Sequence, residues 1–565
     1  MVHLYAISSS PPSDHYLVHE PSPALEAGSL QRDNQTLMEA QWPPRYITQT
    51  RKWIEACNTL HGSACVPDAI PQRPPEDVPL WLIDTREQCI VPGTSAHRYL
   101  ALSYVWPESR GSSDFGGSLP RTLLLDNASV AEFQRPEFLE GVNAQERIPA
   151  VIRHAMEFTC ALGERYLWVD RLCIVQDDLG DGGTFSQVGK MDKIYSGAYL
   201  TIIAAATDEM YEDGCAVEWP LFETAREGRW DHDSALTAFE VGIRLSEVGP
   251  PKMSEEDIVQ VMSARYIMLS RSHWATRGWT YQEQILCKRA VVFMDSGCFW
   301  DCHCCVWDGV DLFPGQEFEG IALRADMGQR LNTRWWPDFS LYLDLICPYN
   351  GREFSYPQDA TLGISGVLNA LRRSFPGGFI HGLPRLFLDH ALLWQPFESA
   401  ERRMDRNEEG MVRSSLPSWS WCGWQCYVDP WSLCSGLSYI TEKACRNRGR
   451  SWRTRNLVEW HLSTAGKMST PIVEPGILDQ LVVMNPSKDG ALPAGWKHHS
   501  EHGYDLQGNA VGTISGFVHA SDDRTFFSHP IPVDLTTSER NILSTPAYLS
   551  CSTTTASFQA ATELV

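Results

Sequence analysis

The stretch Met191-Asp-Lys-Ile-Tyr-Ser-Gly-Ala-Tyr-Leu-Thr-Ile-Ile-Ala-Ala-Ala206 decides the fold class. Its second half, Tyr199 to Ala205, is almost wholly apolar. A strand of that kind is covered on both faces, as in a parallel sheet packed between helices. Its first half closes a helix predicted over Phe185 to Ser196, with Val188, Met191 and Tyr195 on one face. The same helix-then-strand unit stands just upstream. Pro149 to Leu162 carries Val151, Ala155, Phe158 and Leu162 at helical spacing, Gly163 stops it, and Arg165 to Asp170 reads as a strand. Trp81 to Asp84 and Arg98 to Val105 read as strands before these units. A strand (Arg265 to Leu269), a helix (Trp274 to Leu286) and a strand (Arg289 to Met294) follow them. Strands alternating with helices predict an α/β layer with a mainly parallel sheet.

Working outward, residues 1–45 are rich in Ser and Pro and are expected to be a disordered arm. Residues 46–77 read as a helix, Tyr46 to Leu60, and a Pro-rich linker. The α/β domain is placed at 78–310, with an irregular insertion at 212–262. Residues 311–520 read as a less regular α+β region with helices over Asp359 to Phe375 and Leu383 to Leu393, and 521–565 as a frayed Ser/Thr-rich tail. A length of 565 residues suits several such units at roughly 150 residues each.

With 43% hydrophobic residues the chain can bury large cores, which excludes wholesale disorder. No apolar run reaches the ~18 residues of a membrane span, and the first residues lack the basic start and apolar core of a secretory signal. The expectation is a soluble, cytoplasmic protein without a membrane partner. Its 47 Lys and Arg stand against 70 Asp and Glu, and the resulting −23 opposes nucleic-acid binding. Lys443 to Arg455 is the one basic run, read as a solvated loop.

Walker A, G-x-G-x-x-G, H-E-x-x-H and G-x-S-x-G motifs are all absent. Cys298, Cys302, Cys304 and Cys305 with His303 form the densest thiol cluster, but Cys-x-Cys-Cys on an extended segment departs from zinc-ligand spacing. No metal and no cofactor is expected.

Four segments in order carry a specific resemblance. They are Tyr99-Leu-Ala-Leu-Ser-Tyr-Val-Trp106, Arg165-Tyr-Leu-Trp-Val-Asp-Arg-Leu-Cys-Ile-Val-Gln-Asp-Asp178, the opening stretch 191–206, and Arg277-Gly-Trp-Thr-Tyr-Gln-Glu-Gln-Ile-Leu286. Together they resemble the heterokaryon-incompatibility (HET) domain of filamentous fungi. Pro357-Gln-Asp-Ala360, Gly382-Leu-Pro384, Ala391-Leu-Leu-Trp394 and Pro417-Ser-Trp-Ser-Trp421 resemble the region that often follows it. Pro107 and Arg171 depart from the family pattern, which has Gly and a small residue there. The resemblance implies a TIR/flavodoxin-like fold, a role in non-self recognition and regulated cell death, an unknown incompatibility partner protein and, through the remote TIR likeness, hydrolysis of NAD as substrate.

Ser103 to Trp106 and Asp170 fall at the carboxyl ends of predicted parallel strands, where open α/β sheets form their ligand crevices. Trp279 and Glu283, four apart, share one helix face, a spacing similar to that around the catalytic Glu of TIR enzymes. Glu283 is the candidate catalytic residue, and Ser103, Trp106, Asp170 and Trp279 are candidate substrate-binding residues. Plainer readings stand beside these: Glu283 paired with Arg277 or Lys288, Asp170 bonding its own turn, the tryptophans as core. A non-catalytic self-association or protein-interaction module is the alternative function.

Overall fold

The computed structural model describes residues 44–66, 77–106, 122–177, 189–205, 268–308, 337–385 and 388–429, apart from isolated positions within them. Beyond these it describes 458–464, 470–471, 495–504, 510–520, 522–527 and 547–553, with a few single residues such as Trp42. Pro107, the 212–262 insertion and the 443–455 run lie outside the described residues, as does the arm up to residue 41.

Eight strands form the central sheet: β1 (Trp81–Asp84), β2 (Cys89–Pro92), β3 (Tyr99–Ser103), β4 (Tyr166–Trp168), β5 (Leu200–Ala204), β6 (Arg289–Met294), β7 (Gly297–Cys302) and β8 (Val306–Asp308). Their order is β2-β1-β4-β3-β5-β6-β7-β8. The four central strands are parallel through the β4–β3, β3–β5 and β5–β6 pairs. Both edges turn antiparallel. Every residue of β3, β5 and β6 is buried, because helices cover both faces of the sheet's centre. Within the parallel set the chain's second strand lies outside the first, and the third and fourth lie on the other side. This is the flavodoxin-type order, whose switch point falls between the carboxyl ends of β3 and β5.

The flanking helices are α1 (Pro44–Leu60), α2 (Ala150–Leu162), α3 (Met191–Gly197), α4 (His273–Thr276) and α5 (Gly278–Leu286). From the second half come α6 (Phe339–Asn350) and α7 (Ser365–Leu371). α1 packs on α2, while α3, α5 and α7 pack on one another. The Gly366 N–H donates to Gln282 Oε1 at 3.2 Å, so the second half is docked on the helix that bears Glu283.

Several expectations change. Where one helix was expected over Leu383 to Leu393, Leu383–Pro384 are extended and Leu388–Ala391 are helical. Met268 to Ser270 are helical rather than extended. The single helix expected over Trp274 to Leu286 is two, broken at Arg277, which is extended and bridges Glu353 in parallel while the Gly278 N–H donates to Glu353 O at 2.8 Å. This long-range pairing outweighs local helical preference. Finally, the tail expected to fray contributes strands at Asp522–Phe527 and Ala547–Thr553. The second pairs antiparallel along the whole of Val458–Thr464. Thr, Tyr and Phe suit a pleated strand once a partner is present.

Gly278 leaves no room for a side chain: a Cβ there would lie 1.9 Å from the ring of Phe354. That ring is held edge-on by Trp279 and Tyr349. Gly278→Ala is therefore expected to cost about 1–3 kcal/mol through overpacking, read as a lower urea midpoint.

At the end of β1, Asp84 accepts the Arg86 and Glu87 backbone N–H groups at 3.1 and 3.2 Å, and Arg165 Nε at 2.9 Å. Burial opposes its ionisation, but Arg165 and the two amides outweigh burial and hold the carboxyl below the usual carboxylate range. The resulting stabilisation is present at neutral pH and lost as pH falls through the folded-state value. Asp84→Asn should cost about 1–2 kcal/mol at pH 7. Denaturant titrations should show the difference disappearing in strong acid.

Candidate functional site

Ser103 closes β3 and is wholly buried, with its hydroxyl donating to the carboxyl of Glu283 on α5. The same oxygen accepts the indole N–H of Trp274 at 2.9 Å. Tyr195 of α3 donates its hydroxyl to Leu102 O at 3.1 Å and also lies against Glu283. Ser103, Trp274 and Tyr195 are each under 2% exposed, and Glu283 is 5% exposed. Burial dominates the acid: it pushes Glu283 up to about 8, with the charge of Asp170 adding to the rise and the Ser103 and Tyr195 hydroxyls opposing it. At neutral pH Glu283 is thus mostly a neutral carboxylic acid. Neither cation weighed as its partner takes that place. Arg277 donates to Ser355 Oγ at 2.6 Å, and the Lys288 ammonium lies 3.5 Å from Val66 O.

Asp170 follows β4 and opens a helical turn, Asp170–Cys173. Its Oδ1 accepts the Arg171 N–H at 2.7 Å, and its Oδ2 accepts the Trp106 indole N–H at 2.6 Å. Burial raises this carboxyl too, against the opposing pull of Trp106 and Arg171. An oxygen pair that accepts two N–H donors suits the ionised form. The strand-end cluster thus joins a neutral acid, Glu283, to Asp170, whose charge adds to the rise of that acid.

The guanidinium of Arg171 lies over the Trp106 ring at 4.1 Å, and its Nη1 donates to Thr122 Oγ1 at 2.8 Å. One face of that indole is therefore taken by the residue that departs from the family pattern. Trp106 remains 36% exposed.

The structure brings Ser103 to Glu283 and Trp106 to Asp170. Trp279 it places elsewhere: half-buried, with its ring edge-on to Phe354 at 6.3 Å. The indole at Ser103 is that of Trp274, which the sequence reading assigned only to a helix start. With the break at Arg277, residues 274 and 279 belong to different helices, and helical spacing along 274–286 does not relate them. Tyr195 was legible as a core position, and a buried tyrosine hydroxyl needs a polar partner.

Residues 99–283 match the family described as Heterokaryon incompatibility protein (HET). The chain carries a HET domain. The match opens on the first residue of β3 and closes on Glu283, so it contains all five candidate residues. Among curated proteins and solved structures, nothing matches the chain. Among the described residues, no helix is long and apolar enough to cross a membrane.

Proposed function

We propose that this HET-domain chain is an effector of heterokaryon incompatibility, in which non-self recognition ends in regulated cell death through hydrolysis of NAD at the carboxyl end of the sheet. The observation that carries the reading is Glu283: a buried acid, hydrogen-bonded to hydroxyls, beside the topological switch point of the sheet. A carboxyl in that state costs stability, and chemistry is a reason to retain it.

Cleavage breaks the bond between ribose C1′ and the pyridinium nitrogen. The electron pair goes to nitrogen, so nicotinamide leaves neutral and needs no acid. Water adds to C1′ and releases a proton, giving ADP-ribose. The charge that develops is a cation on the ribose, and an ionised Glu283 would stabilise it. A pyridinium beside Glu283 favours loss of the acid's proton. Ser103, fixed by Trp274, holds the carboxyl's orientation. The free face of Trp106 offers a stacking surface at the rim.

A second reading, self-association without chemistry, draws on an exposed apolar pair. Phe397 and Tyr427 are 63% and 64% exposed and neighbours, the Phe397 N–H donating to Tyr427 O at 2.8 Å. Expression of the chain and of Glu283→Gln in hyphae separates the readings. Death with a falling NAD pool, both lost in Glu283→Gln, supports hydrolysis. Death in both with NAD unchanged supports self-association.

A further inference from the structure

The thiol-rich segment after β7 does not stand alone. Cys302 ends β7 and meets the last turn of α1, which supplies Cys57, and the turn after it, which supplies His61 and Cys65. Cys57 and His61 are four apart, and the His61 N–H donates to Cys57 O at 3.0 Å, which puts both on one face. Gly62, at φ +50°, then turns the chain through a short 3₁₀ turn that returns Cys65 to the same place. The three sulfurs and one ring nitrogen lie within 4.8 Å of one another.

Tetrahedral zinc holds sulfur at about 2.3 Å and nitrogen at about 2.0 Å, which sets neighbouring sulfurs about 3.8 Å apart and sulfur from nitrogen about 3.5 Å apart. Cys302 Sγ and His61 Nδ1 stand 3.6 Å apart. We propose that Cys57, His61, Cys65 and Cys302 bind one structural zinc ion, a Cys₃His site that clamps α1 to β7.

The surroundings fit that donor set. Cys57, Cys65 and Cys302 are wholly buried, and three buried thiols with an imidazole form the soft, closed shell typical of structural zinc. The His61 ring stacks on Trp307 at 5.4 Å, which fixes its plane. The Cys305 N–H donates to Cys302 Sγ at 3.3 Å, the amide-to-sulfur support that outer-shell donors give a metal-bound thiolate. Disulfides do not account for the cluster: Cys65 and Cys304 sulfurs are 3.4 Å apart, and those of Cys302 and Cys305 are 3.6 Å apart, against about 2.05 Å for a bond. The sequence-based expectation of no metal looked for all the ligands within 298–305. The missing three lie far upstream, spaced Cys-x₃-His-x₃-Cys.

The clamp joins a helix that precedes the family-matched segment to a strand that follows it, where Arg289 Nη1 already donates to Asn58 Oδ1 at 2.7 Å. Elemental analysis of the full chain, produced with zinc supplied and then dialysed against metal-free buffer, should find about one zinc per chain. In native alkylation read by mass spectrometry, Cys57, Cys65 and Cys302 should react only after a chelator is added, while exposed Cys160 reacts throughout. Cys57→Ser and Cys302→Ser should retain less than a tenth of the zinc, and Cys305→Ser should retain it. If the single variants fail to fold, the chelator dependence in the wild type decides. Wild-type protein without zinc, alkylation indifferent to chelator, a Cys65–Cys304 disulfide in the isolated protein, or zinc lost in Cys305→Ser but kept in Cys57→Ser would each overturn the assignment.

Discussion

Truncating Trp274 to Ala should lower the unfolding free energy by about 3–5 kcal/mol, the range for deleting a fully buried Trp. The indole is 0% exposed, and its N–H donates to Ser103, while its backbone carbonyl accepts the Thr280 hydroxyl at 2.6 Å. The variant would leave a cavity between α4 and β3 and remove one partner of a buried hydroxyl. Trp274→Phe separates these effects, since it keeps most of the ring but loses the donor, and should cost about 1–2 kcal/mol. Urea midpoints at constant m-value measure both. Equal stability of wild type and Trp274→Ala would mean that this indole does not support the strand end.

Glu283→Gln should instead stabilise the protein above neutral pH. An unfolded chain ionises this glutamate at its ordinary value of 4.5, whereas the folded chain keeps it protonated up to about 8. The folded state therefore binds the extra proton between those values, and stability falls as pH rises through that window. The favourable contribution is fully present below about 4.5 and gone above about 8. Glutamine has no proton to lose and keeps the size and hydrogen-bonding shape of the neutral acid. The variant should match wild type near pH 4.5 and exceed it by up to about 4 kcal/mol at pH 7.5. On the proposed function the same change should lower nicotinamide release by about 10²–10³-fold, the scale of losing one electrostatic group that faces transition-state charge. More stable and inactive is an outcome that a purely structural glutamate would not produce.

The parallel centre of the sheet was legible because burial on both faces leaves an unmistakable sequence. β1 and β6 fall at their expected bounds, and β5 within one residue at each end. β2, β7 and β8 were not legible: all lie in the antiparallel margins of the sheet, outside its parallel centre, and β7 mixes Gly, Asp and two Cys with its aromatics. Ser103 at a strand end and Glu283 on a helix were legible one by one. Their hydrogen bond and the protonation state of Glu283 were not, since both depend on packing by α3, α4 and the docked second half. Trp274 and the Cys57–His61–Cys65 set were hidden for one reason. Both become neighbours of their partners only through long-range packing, across 171 residues in the case of Trp274 and Ser103.

The most direct test of the account is nicotinamide release from NAD by the purified full chain, followed from pH 6 to 9 beside Glu283→Gln. Because the ionised acid is the working form, release by the free enzyme should rise about tenfold per pH unit below about 8 and level off above it, with the variant inactive throughout. Release that is the same in the variant, or that is flat across this range in both proteins, would contradict the assignment of the chemistry to Glu283.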